Sequence, residues 1–76
     1  MRKNVDKDRL IEFGRNLATV RKGLGVTQEE LSHRSGLSLS QIARIETGAI
    51  NTTLNTVFEI CKALGIEAHV LFISNK

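Results

Sequence analysis

The stretch Thr27–Gly48, TQEELSHRSGLSLSQIARIETG, constrains the fold more than any other, because it carries two helix starts and two helix stops in close succession. Thr27 stands at an N-cap position, and Glu30 three residues on completes the spacing of a capping box. Val26 and Leu31 mark the buried side of the helix that follows. Gly36 sits just past its end, where a residue without a Cβ takes positive φ without strain. Leu37 fills the corner. Ser38 repeats the cap signal with Gln41 three residues on, and Ile42 and Ile45 form the inward stripe of a second helix that Gly48 ends.

On either side the apolar residues keep helical spacing. Asp6 or Asp8 caps a first long helix in which Leu10, Phe13, Leu17, Val20 and Leu24 recur at steps of three and four. Gly23 and Gly25 end it, and Leu24 and Val26 are expected to turn inward across the bend. After a polar connection, Ala49–Thr52, Thr53 caps another helix whose inward residues are Leu54, Val57, Ile60, Cys61 and Leu64, with Gly65 breaking it. The tail from Ile66 reads two ways. Ile66, Val70, Leu71 and Ile73 fit the inner face of a short helix, while Ala68, Val70 and Phe72 alternate as in a strand. Helix is preferred, because a lone strand has no partner in an otherwise helical chain. The expectation is therefore an all-α, compact five-helix domain over residues 6–76, with helices near 7–23, 28–35, 39–47, 54–64 and 67–73 and a short basic arm over 1–5.

Composition narrows the function classes. In a chain of 76 residues a single core seldom supplies more than about 3–5 kcal/mol, so pairing with a second copy would help. No run approaches the roughly 18 apolar residues of a membrane span, and a cytoplasmic address is expected. The single cysteine, Cys61, excludes an internal disulfide framework and cannot alone hold zinc; it lies on an apolar stripe, as a buried thiol does. Neither metal nor cofactor is expected. His33, His69 and Cys61 make no nucleophile–base spacing, so no catalytic residue is assigned and an enzyme is not expected. Net charge is +3, and residues 1–34 hold eight of the eleven Lys and Arg against five acids, which suits a polyanionic partner.

Two capped helices about a glycine turn make the helix-turn-helix pattern, whose second helix can lie in a DNA major groove. Gln28–Leu31 (QEEL), Ser35-Gly36-Leu37, Ser40–Glu46 (SQIARIE) with Thr47-Gly48, and Lys62–Ile66 (KALGI) resemble the Cro/phage-repressor type of helix-turn-helix regulator. Short stand-alone members of that family include the controller proteins of restriction-modification systems. The resemblance covers roughly residues 8–72. It implies a repressor-like domain, with Gln28 bonding a DNA phosphate and Arg21 and Glu46 forming a buried pair that braces the first helix against the third. The phosphate contact also has a physical basis, since a helix N-terminus, here Thr27 and Gln28, presents unpaired N–H groups to an anion.

With Ile42 and Ile45 inward, Ser38, Leu39, Ser40, Ala43, Arg44 and Thr47 are left for DNA. Arg44 suits guanine O6 and N7, or alternatively a phosphate. Leu39 either meets a thymine methyl or belongs to the core. The family often has longer polar residues at Leu39 and Ala43, so DNA shape is expected to carry part of the specificity. Asn51, Thr52 and Thr53 offer donors to the backbone or simply cap the next helix. Phe58, Leu71, Phe72 and Ile73 exceed what five short helices need to bury and are assigned to a two-fold interface. The resulting expectation is a homodimeric regulator of transcription on an inverted-repeat operator in double-stranded DNA, which blocks or contacts RNA polymerase. The alternative is an antitoxin-type module whose apolar tail docks a toxin.

Overall fold

Asp6 opens the first helix: its carboxylate accepts the backbone N–H of Arg9 at 3.1 Å. A computed structural model describes residues 6–74, so the arm expected over residues 1–5 lies outside the described residues. Helix α1 spans Lys7–Gly23, α2 Gln28–Ser35, α3 Leu39–Glu46 and α4 Leu54–Leu64. Each of the four starts on a side-chain cap, Asp6, Thr27, Ser38 or Thr53, whose oxygen takes one of the N–H groups a helix start leaves unpaired. The chain is all-helical among the described residues. Helix α1 packs on α3, and α2 packs on both α3 and α4.

The last element is a 3-10 helix, Ala68–Phe72, in place of the α-helix expected over 67–73. Few residues separate it from the helix break at Gly65, and short pieces of this kind commonly take the tighter form. A long-range contact then holds it. The buried Asn16 side chain on α1 donates through Nδ2 to the carbonyls of Leu71, at 3.1 Å, and Ile73, at 2.8 Å. Those carbonyls find partners on another helix instead of along their own. Asn16 carried no signal in the sequence that distinguished it from a surface amide.

Leu17, Leu31, Ile42, Ile45, Ile60 and Leu71 are fully enclosed and form the centre of the core. Four expectations about burial need correction. Ile73, expected on the inner face of a tail helix, is exposed. Leu24 is exposed, because it is the C-cap of α1 with its N–H bonded back to Val20 and Arg21, and only Val26 dips inward after the bend. Leu54, the first residue of α4, is also exposed; the buried stripe of that helix begins one turn later, at Val57. Leu71, assigned to a two-fold interface, is 0 % exposed: the 3-10 turn aims it into the core, so it is not available to a partner.

Cys61 is buried and unpaired with any other cysteine. Burial pushes its thiol above the ordinary range, with the Glu67 carboxylate adding to the rise. A thiolate is the reactive form, so the group is inert while the fold is closed. An aromatic disulfide reagent should label the native protein far more slowly than the protein in denaturant. Equal rates would place the thiol at the surface.

Candidate nucleic-acid interface

The α2–α3 corner is stitched by its own side chains. Gly36, at φ 82°, caps α2 in the left-handed region, where its N–H donates to the Ser32 carbonyl at 2.9 Å. The Ser32 hydroxyl donates to the Leu37 carbonyl at 2.6 Å, and Leu37 N–H donates to Ser35 Oγ at 3.2 Å. Ser38 Oγ then accepts the Gln41 N–H at 3.0 Å and starts α3. The corner sets the angle between two eight-residue helices, neither of which would persist alone in water.

Helix α3 is sharply two-sided. Ile42 and Ile45 are buried, whereas Ser38, Leu39, Ser40, Arg44 and Thr47 are exposed and Ala43 is half-buried between the two sides. Ser40, Arg44 and Thr47 follow one another at four- and three-residue steps, so they share a stripe. Leu39 is 42 % exposed, which takes it out of the core. Its apolar surface lies beside Ser40 at the start of the helix.

A buried network at the other end of α3 anchors it. Arg21 Nε donates to Glu46 Oε2 at 2.6 Å and Nη2 to Oε1 at 3.0 Å, while Nη1 reaches the Val26 carbonyl at 2.8 Å. The two side chains are only 8 % and 7 % exposed. The guanidinium titrates above its usual range, chiefly because it is hydrogen-bonded to Glu46, against the opposing effect of burial. Gln28 joins the same network, its Nε2 donating to Glu46 Oε1 at 2.9 Å. That bond sets the first turn of α2 beside the last turn of α3, the turn that carries Arg44. Sequence reasoning put Gln28 at a phosphate but did not foresee its link to Glu46.

Other residues assigned to DNA differ in what they have left to offer. Thr27 is exposed, and its hydroxyl oxygen accepts the Glu30 N–H at 3.0 Å; Glu30 turns its own carboxylate to Arg34 at 3.1 Å. Thr53 accepts the Thr56 N–H at 3.2 Å and donates to the Thr56 hydroxyl at 3.1 Å, so its hydroxyl is committed to starting α4. Thr52 is half-buried, whereas Asn51 is exposed in the loop. Phe58, Phe72 and Ile73 are exposed at 56 %, 60 % and 53 %. Phe72 also rests on Phe13 of α1, with ring centroids 5.0 Å apart. Among the described residues no group of His, Cys, Asp and Glu could hold a metal ion, and no helix is long and apolar enough to cross a membrane.

Comparison with known proteins agrees with this geometry. A family model described as helix-turn-helix matches residues 17–71. An uncharacterised HTH-type transcriptional regulator, y4dJ of Sinorhizobium fredii, is 39 % identical over 61 residues, which is 80 % of this chain and 78 % of that protein. Among solved structures, the restriction-modification controller protein C.AhdI from Aeromonas hydrophila superposes with a TM-score of 0.81 at 36 % identity, over 83 % of this chain and 96 % of that one. The controller protein C.Esp1396I, crystallised as a tetramer with its natural 35 base-pair operator, gives a TM-score of 0.80 at 28 % identity, over 88 % of both chains. The family is one of DNA-binding transcriptional regulators and not of enzymes. A helix-turn-helix corner with a two-sided second helix, a family match over most of the length and a relative 39 % identical over 61 residues together place this chain in the helix-turn-helix family of transcriptional regulators.

Proposed function

We propose that the chain acts in the cytoplasm as a homodimer on an inverted-repeat operator, with α3 of each copy in a major groove and the head of α2 on the flanking phosphates. The observation that carries this is the division of α3 into a buried isoleucine side and an exposed side of Ser38, Leu39, Ser40, Arg44 and Thr47, next to the first turn of α2. Arg44 is the base-reading residue, through the paired acceptors of guanine. Leu39 offers a thymine methyl an apolar contact, and Thr27, Gln28 and Asn51 lie toward the backbone. Ala43 adds little beyond close approach. With few long side chains on α3, sequence-dependent DNA shape supplies part of the specificity.

The dimer surface comprises Phe58, Phe72 and Ile73, without Leu71. Two-fold pairing would set the α3 helices about 34–36 Å apart, one turn of duplex. Occupancy of such an operator would block or recruit RNA polymerase according to its distance from the promoter. A toxin-docking tail finds less support, because the burial of Leu71 removes part of the apolar surface it would need.

The test is a fluorescence titration of the protein against the DNA immediately upstream of its own gene, repeated at several salt concentrations. Affinity should fall linearly on a log–log plot, because each neutralised phosphate releases counterions. Affinity that ignores salt would rule the proposal out. Arg44→Ala should cost about 1–3 kcal/mol of discrimination at one base pair of each half-site and lower the salt slope little. Unchanged preference among operator variants would remove Arg44 from base reading.

A further inference from the structure

The geometry points to Glu46 as a positioning residue for the phosphate grip at the head of α2, acting through Gln28. This rests on the proposed contact between Gln28 and DNA, and it adds a reason why that contact is ready before DNA arrives. Glu46 Oε1 accepts from both Arg21 Nη2 and Gln28 Nε2, at 3.0 and 2.9 Å, while Oε2 takes Arg21 Nε at 2.6 Å. The rigid fork of Arg21 sets the plane of the carboxylate, and the carboxylate in turn holds one of the two amide hydrogens of Gln28. The second amide hydrogen is left for an acceptor at the first turn of α2, whose backbone N–H groups also suit an anion.

A glutamine at the surface samples many rotamers and loses that freedom when it binds. Gln28 has lost it already, because its partner is fixed by a pair that is itself buried. Pre-ordering one long side chain is worth about a two- to tenfold gain in affinity. The Arg21–Glu46 pair is neutral as a unit, so this gain owes nothing to steering by charge. The same carboxylate thus joins α1, α2 and α3.

The experiment compares operator binding by the parent, Gln28→Ala, the apolar swap Arg21→Met/Glu46→Leu, and the three substitutions combined. The swap keeps net charge and fills the site with residues of similar length, a replacement that buried ion pairs often tolerate. It should weaken binding about two- to tenfold, with an unchanged slope of affinity against salt, since no cation facing phosphate is lost. Adding Gln28→Ala to the swap should cost less than Gln28→Ala costs the parent protein. A swap that binds like the parent, or one whose loss adds in full to that of Gln28→Ala, would overturn the role of Glu46. Should Gln28→Ala bind as tightly as the parent, the phosphate role of Gln28 fails with it, while salt dependence and Arg44→Ala still judge the DNA reading separately. A second measurement needs no substitution: side-chain amide relaxation by NMR in the unbound protein, with Gln41, the other glutamine, as reference. Gln28 should be nearly as rigid as the backbone, and fast averaging of its amide would overturn the proposal even if the swap fails to fold.

Discussion

Arg21→Ala is expected to leave the chain largely unfolded in dilute buffer. The substitution removes three hydrogen bonds at once, two to Glu46 and one to the Val26 carbonyl. What remains is a carboxylate that is 7 % exposed with no cation beside it. Stranding one member of a buried pair costs about 3–5 kcal/mol, as much as a core of this size usually supplies. Glu46→Ala should be similarly damaging, since it strands the guanidinium and frees Gln28 as well. The swap Arg21→Met/Glu46→Leu should be far milder than either single change, because neither charge is left behind. Urea unfolding followed by far-UV circular dichroism measures all three. Single variants that melt within about 1 kcal/mol of the parent would show that water reaches the pair and screens it. Raising the pH offers no substitute for the mutations. Because Arg21 titrates higher in the folded protein, its contribution is fully present below the unfolded pKa and is lost only as pH rises through the folded value, in strong alkali.

Gly14→Ala is the second large effect, and its sign runs against helix propensity. In an exposed helix interior, alanine would stabilise by about 0.8–1 kcal/mol over glycine. Gly14 is buried where α1 crosses the end of α3. A Cβ there would overlap the Ile45 carbonyl oxygen and sit 2.6 Å from the Glu46 carbonyl oxygen and 2.7 Å from its carbon. All three are backbone atoms, so no side-chain rotation relieves the overlap. Helix α1 would have to lift away from α3, loosening the Arg21–Glu46 bonds a short way along the same contact. Overpacking of this kind costs about 1–3 kcal/mol, occasionally more, and the strained pair adds to it. The control lies in the same helix. Gly23→Ala meets nothing within 4 Å and has no positive φ, so it should be neutral or stabilise by about 0.4–1 kcal/mol. The two alanine variants should therefore shift the thermal midpoint in opposite directions. A Gly14→Ala protein that melts at or above the parent temperature would refute the close approach.

Gly14 also shows where sequence reading stopped. It lies inside a strong helical pattern, where one glycine looks like a small defect. Asn16, two residues on, looks like any polar residue between apolar positions, yet it clamps the Leu71 and Ile73 carbonyls. Leu24, Leu54 and Leu71 all have the periodicity of buried residues, but only Leu71 is enclosed. Periodicity tells which side of a helix faces inward. It does not tell whether another element covers that side along its whole length.

The local order of the chain was legible without coordinates. Asp6, Thr27, Ser38 and Thr53 each start a helix, and Gly36 turns the chain between the two short ones, because capping and backbone sterics act within a single turn. The inward stripe at Ile42 and Ile45 follows from the same short-range geometry, and so does the outward placement of Arg44. Tertiary structure alone decided three things: the clamp of Asn16 on the Leu71 and Ile73 carbonyls, the close crossing at Gly14, and the bond that ties Gln28 to Glu46. Each depends on the distance and angle between elements far apart in the chain. Those are set by how all the helices pack together, which no local pattern encodes.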